Sequence, residues 1–132
     1  MSKRRLDKDV EKRMFFLFWR SLTRLGSPAE TAEFFSDLLT STEEMMLTKR
    51  YTTAILLAKG YSPTYIRQTL NVSFTTTNTV AAWLKNLKPA TKKIIAAHLR
   101  DEAWSAFFDK IDALLDSIHR KILLRSAKNL LR

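Results

Sequence analysis

Apolar residues recur at intervals of three and four along almost the whole chain, which predicts helices throughout. From Asp9 the positions Val10, Met14, Leu17, Phe18, Leu22 and Leu25 keep one apolar face, and Gly26 ends it. Ser27 and Pro28, with Glu30 in a capping-box-like arrangement, open a second helix carrying Ala32, Phe34, Phe35, Leu38 and Leu39. Thr40 or Ser41 caps a third, with Glu43 and Glu44 at the positive end of its dipole; it runs through Ile55 and Leu57 to Lys59, and Gly60 is its C-terminal cap.

Residues 62–87 then predict two short helices joined by a tight turn. Ser62 and Pro63 start the first, whose Tyr65, Ile66, Thr69 and Leu70 share a face. Asn71 supplies the left-handed residue that a tight turn needs, with Val72 tucked beneath it. The second helix begins at Ser73, with Phe74, Val80, Ala81, Leu84 and Leu87 as its apolar positions. Thr77 is expected to turn inward, leaving Thr75, Thr76, Asn78 and Thr79 on the other face. Beyond Pro89 one helix is expected to run on from Ile94, Ile95 and Leu99 through Trp104, Phe108 and Ile111 to Leu123, ending in a partner-facing or coiled-coil-like segment. The final RKILLRSAKNLLR reads as a solvated basic face over a buried leucine stripe, or as a surface for nucleic acid or membrane.

The expected organisation is a loose basic arm over residues 1–8, a helical domain over 9–100 and an amphipathic helical extension over 101–132. Phe15, Phe16, Phe18 and Trp19 nearly surround the first long helix, more aromatic surface than a chain of 132 residues can cover by itself. A second copy of the chain is the economical cover.

Composition narrows the chemistry. The absence of cysteine excludes disulfides and the usual structural zinc ligands, and two histidines, His98 and His119, are too few for a histidine-rich metal site. No serine or threonine has a nearby His with an orienting acid, and there is no glycine-rich phosphate loop, so neither catalysis nor a cofactor is expected. With no long uncharged apolar run and charges of both signs at the N-terminus, neither a membrane span nor a signal peptide is expected, and a cytoplasmic location is. The net charge is +10, and its distribution is sharper than its size. Residues 45–100 hold no Asp or Glu, but do hold Lys49, Arg50, Lys59, Arg67, Lys85, Lys88, Lys92, Lys93 and Arg100. Such a field attracts a polyanion, double-stranded DNA above all.

The two short helices lie inside that block. Short hydrogen-bonding side chains on the second of two such helices suit the major groove: Asn78 for an adenine edge, the threonine methyls for thymine methyls. Threonine is a poor helix former, so helix stability alone does not account for Thr75, Thr76, Thr77 and Thr79 so close together. Thr75, Thr76, Asn78 and Thr79 are thus candidates for base contact, and Lys49, Arg67, Lys85 and Lys88 for phosphate contact. Two other readings stay open: a helical protein–protein assembly protein, and the DNA-binding module of a mobile-element or replication protein.

Phe34 to Val80, FFSDLLTSTEEMMLTKRYTTAILLAKGYSPTYIRQTLNVSFTTTNTV, resembles the Trp repressor superfamily, and within it the tryptophan-repressor-related (YerC/YecD-type) branch. The resemblance rests on the Phe-Phe-x-Asp-Leu helix ending in Leu39-Thr40, the Glu43 helix containing Arg50, the apolar pair before Lys59-Gly60, and the helix-turn-helix from Ser62 to Val80. It implies an all-α, intertwined homodimer presenting two recognition helices to successive major grooves, and a DNA-binding transcriptional regulator, by expectation a repressor. In the repressor itself an arginine before the motif, matched by Arg50, holds tryptophan together with a second arginine and a glycine. Those two fall at Thr79 and Val80, which argues against tryptophan as co-repressor. Arg50 remains a candidate to pair with an acid or a phosphate.

Overall fold

The computed structural model describes residues 4–130, and among them the chain is all-helical: α1 (Lys8–Leu22), α2 (Pro28–Leu38), α3 (Ser41–Lys59), α4 (Pro63–Leu70), α5 (Phe74–Leu84), α6 (Pro89–His98) and α7 (Glu102–Leu130). Residues 1–3 of the expected basic arm lie outside the described residues, and Lys8 already belongs to α1.

The helix boundaries follow local chemistry. Asp7 caps α1 by accepting from the N–H groups of Asp9 and Val10. Ser27 does the same for α2 through the Glu30 N–H, at 3.1 Å. At α3 the capping box is complete. Thr40 Oγ1 accepts from the Glu43 N–H at 3.1 Å, and the Glu43 carboxylate accepts from the Thr40 N–H at 3.0 Å. The Thr40 N–H first, and then the Thr40 side chain, hold the Glu43 carboxyl below its ordinary value. At the other end of α3, Gly60 takes φ +114°. Its N–H reaches the Leu57 carbonyl at 3.1 Å and the Tyr61 N–H reaches Leu56 at 3.0 Å, the crossed pair that ends a helix on a left-handed residue.

The chain divides after Glu44 into two units. In the first, no residue of α1 or α2 is buried. Phe15 stacks on Trp19 at 6.0 Å and Phe34 meets Phe35 edge to face, yet Phe16 stays 63% and Trp19 54% exposed. The second unit contains the core, in which Ile55 and Leu56 of α3, Ile66 of α4, Ile95 of α6, and Phe108 and Ile111 of α7 form one buried cluster. Trp104, Phe107 and Leu115 pack against it. The residues from 101 onward, expected as an extension, therefore supply a large part of the core that supports α4.

Two expectations are corrected. The helix expected to run unbroken from Pro89 stops at His98, because Asp101 caps a new helix: its carboxylate accepts from the Ala103 N–H at 2.8 Å, and its carbonyl takes the Ser105 N–H. Nor is the apolar stripe of the C-terminal segment buried at the positions whose side chains are described. α7 outruns the body that it packs on, and Ile122, Leu123 and Leu124 are 55%, 68% and 64% exposed.

A Cβ at position 60 meets no atom within 4 Å, so the cost of Gly60→Ala is conformational only. This substitution is expected to destabilise the protein by about 1–2 kcal/mol, as an L-residue is forced to positive φ. Thermal unfolding checks it, through a Tm lowered by several degrees.

Candidate nucleic-acid interface

α4, the turn and α5 form a helix-turn-helix whose parts are each held by an identifiable contact. Ser62 caps α4 through the Tyr65 N–H at 3.3 Å, with Pro63 in the first helical turn. Asn71 has φ 55° and ψ 53°, the left-handed conformation that reverses the chain. Lys49 Nζ donates to the Asn71 carbonyl at 3.2 Å, so α3 fastens the turn from outside. Val72 packs against the core cluster. Ser73 caps α5, accepting from the Thr76 N–H at 3.1 Å, and its hydroxyl also lies 2.9 Å from that of Thr76.

α5 is anchored by its inward side. Val80 and Thr77 are 2% and 1% exposed, and Leu84 packs against the core cluster. A buried hydroxyl is costly without partners. Thr77 Oγ1 donates to the Phe74 carbonyl at 2.9 Å and, more distantly, to that of Ser73 at 3.4 Å, and accepts from Arg67 Nη1 at 3.2 Å. Arg67 also reaches the Thr64 hydroxyl at 3.4 Å, and its guanidinium lies over the Phe74 ring at 4.6 Å. One arginine thus ties α4 to α5.

The outward side carries Thr75, Asn78 and Thr79, all exposed and spaced to share one helical face, with Ala82 and Asn86 continuing it. Thr76 is half-buried on the flank. Lys85 and Lys88 are exposed beyond the C-terminal end of α5, and Arg50 is exposed on α3. Of the expected phosphate-contacting residues, Lys49 and Arg67 are thus engaged within the motif, whereas Lys85 and Lys88 stand clear of it. Phe74, expected on the apolar face, is 63% exposed; its position at the very start of α5 puts it beside Arg67 rather than over the core. Sequence reasoning passed over Trp83, which is 42% exposed. The signal was available, since Trp83 falls out of step with Val80, Leu84 and Leu87.

Behind the motif, α7 is bound to α4 and the short segment leading into it by two tyrosines. The Tyr61 hydroxyl donates to the Asp112 carboxylate at 2.5 Å and to the Phe108 carbonyl at 3.3 Å. Burial first, and then the adjacent Asp112, push this phenol above its usual range. The Tyr65 hydroxyl lies 2.7 Å from His119 Nε2. His98 makes the equivalent contact with Tyr51, also at 2.7 Å, and packs against Trp104. Both histidines are therefore packing partners of tyrosines. Among the described residues no group of three or more His, Asp or Glu could hold a metal ion, and no helix is long and apolar enough to cross a membrane.

Two short helices crossing at a left-handed asparagine, with the second presenting short polar side chains, define a DNA-binding helix-turn-helix protein of the transcription-regulator class. The sequence pattern of the Trp repressor protein family matches residues 14–99, close to two thirds of the chain, and the protein belongs to that family. Its members are DNA-binding regulators rather than enzymes, and the all-helical architecture agrees with membership. No curated protein and no solved structure matches the chain. The family match ends at Leu99, the C-cap of α6, so α7 lies outside it.

The Arg67 contacts distinguish a frame role from a phosphate role. Arg67→Met keeps the aliphatic stem but removes both hydroxyl contacts, and is expected to cost about 1 kcal/mol of stability, a charged hydrogen bond discounted for partial exposure. The slope of log affinity for random duplex against log salt should not change. A slope shallower by about 0.9 would instead assign Arg67 to a phosphate.

Proposed function

We propose that the protein is a homodimeric, sequence-specific DNA-binding transcriptional repressor of the tryptophan-repressor-related branch, acting on the nucleoid in the cytoplasm. The observation that carries this reading is the exposed row Thr75, Asn78 and Thr79 on a helix fastened from behind, inside a stretch free of acidic residues. Asn78 reads an adenine edge, and Thr75 and Thr79 meet thymine methyls or phosphates. Thr76 serves at the helix start, where its half-buried hydroxyl meets Ser73. Lys85 and Lys88 set the register on the phosphate backbone, while Lys49 and Arg67 keep the reading helix at a fixed angle.

Dimerisation is supported by the N-terminal unit, in which α1 and α2 bury no residue and expose Val10, Met14, Phe15, Phe16, Leu17 and Trp19. A surface of that kind is stable in water only when covered. On this reading residues 9–100 bind DNA and dimerise, and 101–132 form a helical addition beyond the family match. Tryptophan is not the effector. Thr79 offers no charge where the repressor has an arginine, and Val80, only 2% exposed, puts a branched side chain where the repressor has a glycine.

Selection of bound sites from a random duplex pool, followed by gel shift on the preferred site, tests the function. Asn78→Ala is expected to weaken the preferred duplex by roughly 1–3 kcal/mol while leaving random duplex unchanged. Equal loss on both would remove the base-reading role. Saturating L-tryptophan should leave affinity for the preferred site unaltered, and a tenfold tightening would restore the amino acid as co-repressor.

A further inference from the structure

Beside α4, α7 forms one wall of an open groove of about 540 Å³, lined by Tyr65, Asp112, Leu115, Asp116, His119 and Leu123, with Arg120 at its rim. Its α7 wall lies outside the segment matched by the family, whereas Tyr65 on the facing side lies within it. Its character is specific. Two carboxylates, Asp112 and Asp116, stand at the N-terminal end of the face, and an apolar side chain, Leu123, 68% exposed, stands at the other. Asp112 accepts from Tyr61 through one oxygen only, which leaves its second oxygen for a cation.

One face of α1 has the opposite character in the same order. Lys8 and Lys12 come first, followed by Phe15, Phe16 and Trp19, which surround a shallow surface depression. Laid parallel with a constant offset, the two faces match position by position. Lys8 falls at the level of Asp112, Lys12 at Asp116, Phe15 at His119, Phe16 at Arg120 and Trp19 at Leu123. Each pair is favourable: two ion pairs, a ring against an imidazole, a ring under a guanidinium, and an indole on a leucine. The remaining charge on the α1 face, Glu11, falls at the level of Leu115, between the two aspartates, and is the one unfavourable position of this register. An antiparallel arrangement would instead set Lys8 against Leu123 and Trp19 against Asp112.

We infer that the α4–α7 groove is the seat for α1 of a second copy of the chain, docked parallel to α7 with Lys8 and Lys12 over Asp112 and Asp116. The seat covers aromatic residues of α1 and the exposed leucine of α7 in one contact. Because α7 lies outside the family match, it would be an addition by which this chain selects its own copies. The inference rests on the dimeric reading above.

The chain has no cysteine, so single cysteines report cleanly. Full-length Phe16→Cys and Arg120→Cys chains, mixed and mildly oxidised, are expected to give a disulfide-linked pair, whereas Phe16→Cys mixed with Asp112→Cys gives none. Adding Lys12→Glu to the first chain should abolish the link, and adding Asp116→Lys to the second should restore it. A Leu123→Cys chain should be protected from maleimide until the protein is denatured. A link to Asp112→Cys, no link at all, or a link forming only inside a chain that carries both cysteines overturns the seat. Free alkylation at position 123 does so too, and protection without the link means another partner covers the groove. Sedimentation run alongside separates the two readings: a dimer without the link removes only this seat, whereas a monomer removes the dimeric regulator as well.

Discussion

A helix of eight residues followed by one of eleven cannot hold a fixed angle in water, because neither has enough internal hydrogen bonding to offset the ordering of its backbone. The geometry of the motif therefore depends on the burial of Ile66. That side chain, 1% exposed, inserts among Ile55 and Leu56 from α3, Ile95 from α6, and Phe108 and Ile111 from α7. Side chains widely separated along the sequence must gather before α4 has a place to rest. A reading helix positioned in this way is rigid because the core is, and its outer face is left free of structural duty.

Polar contacts complete what the core begins, and several of them use charge for stiffness. Arg67 spans α4 and α5 through the hydroxyls of Thr64 and Thr77 and the ring of Phe74, and Lys49 holds the turn at Asn71. Their place in the acid-free stretch alone assigns these two cations to the phosphate-contacting group, and their contacts assign them to the frame. The acids begin again only at Asp101 and continue along the first half of α7, on the side of the motif braced by Tyr61 and Tyr65. One chain thus has a cationic reading segment followed by a supporting helix that begins acidic and ends basic.

The two units differ in how far each satisfies its own apolar surface. The second buries a contiguous cluster, while the first exposes most of a strongly aromatic helix. In the proposed dimer this stretch, which buries nothing among its own elements, is the dimerisation element, and the α7 groove is its proposed seat. The same reasoning explains why α7 continues past the core. Its last turns have no work in the body of one chain, yet they keep leucine and isoleucine in a regular order.

Local chemistry was legible in the residues alone. Helix starts at Ser27, Thr40, Ser62 and Ser73, the stop at Gly60, the left-handed Asn71 and the inward Thr77 all depend on groups within a few positions of one another, and the structure has each of them. What failed in the sequence reading involved distance. The break at Asp101 was hidden because the apolar spacing continues through it, and periodicity is blind to a cap that falls between two in-phase helices. Where Lys49 and Arg67 point, how far Phe74 is exposed and where α7 loses its support depend on partners 7 to 54 positions away, which only the packed chain brings near. The exposed polar face of α5 at Thr75, Asn78 and Thr79 was therefore written in the spacing of threonine and asparagine. Its angle, and the side chains spent on holding it, were decided by the tertiary core.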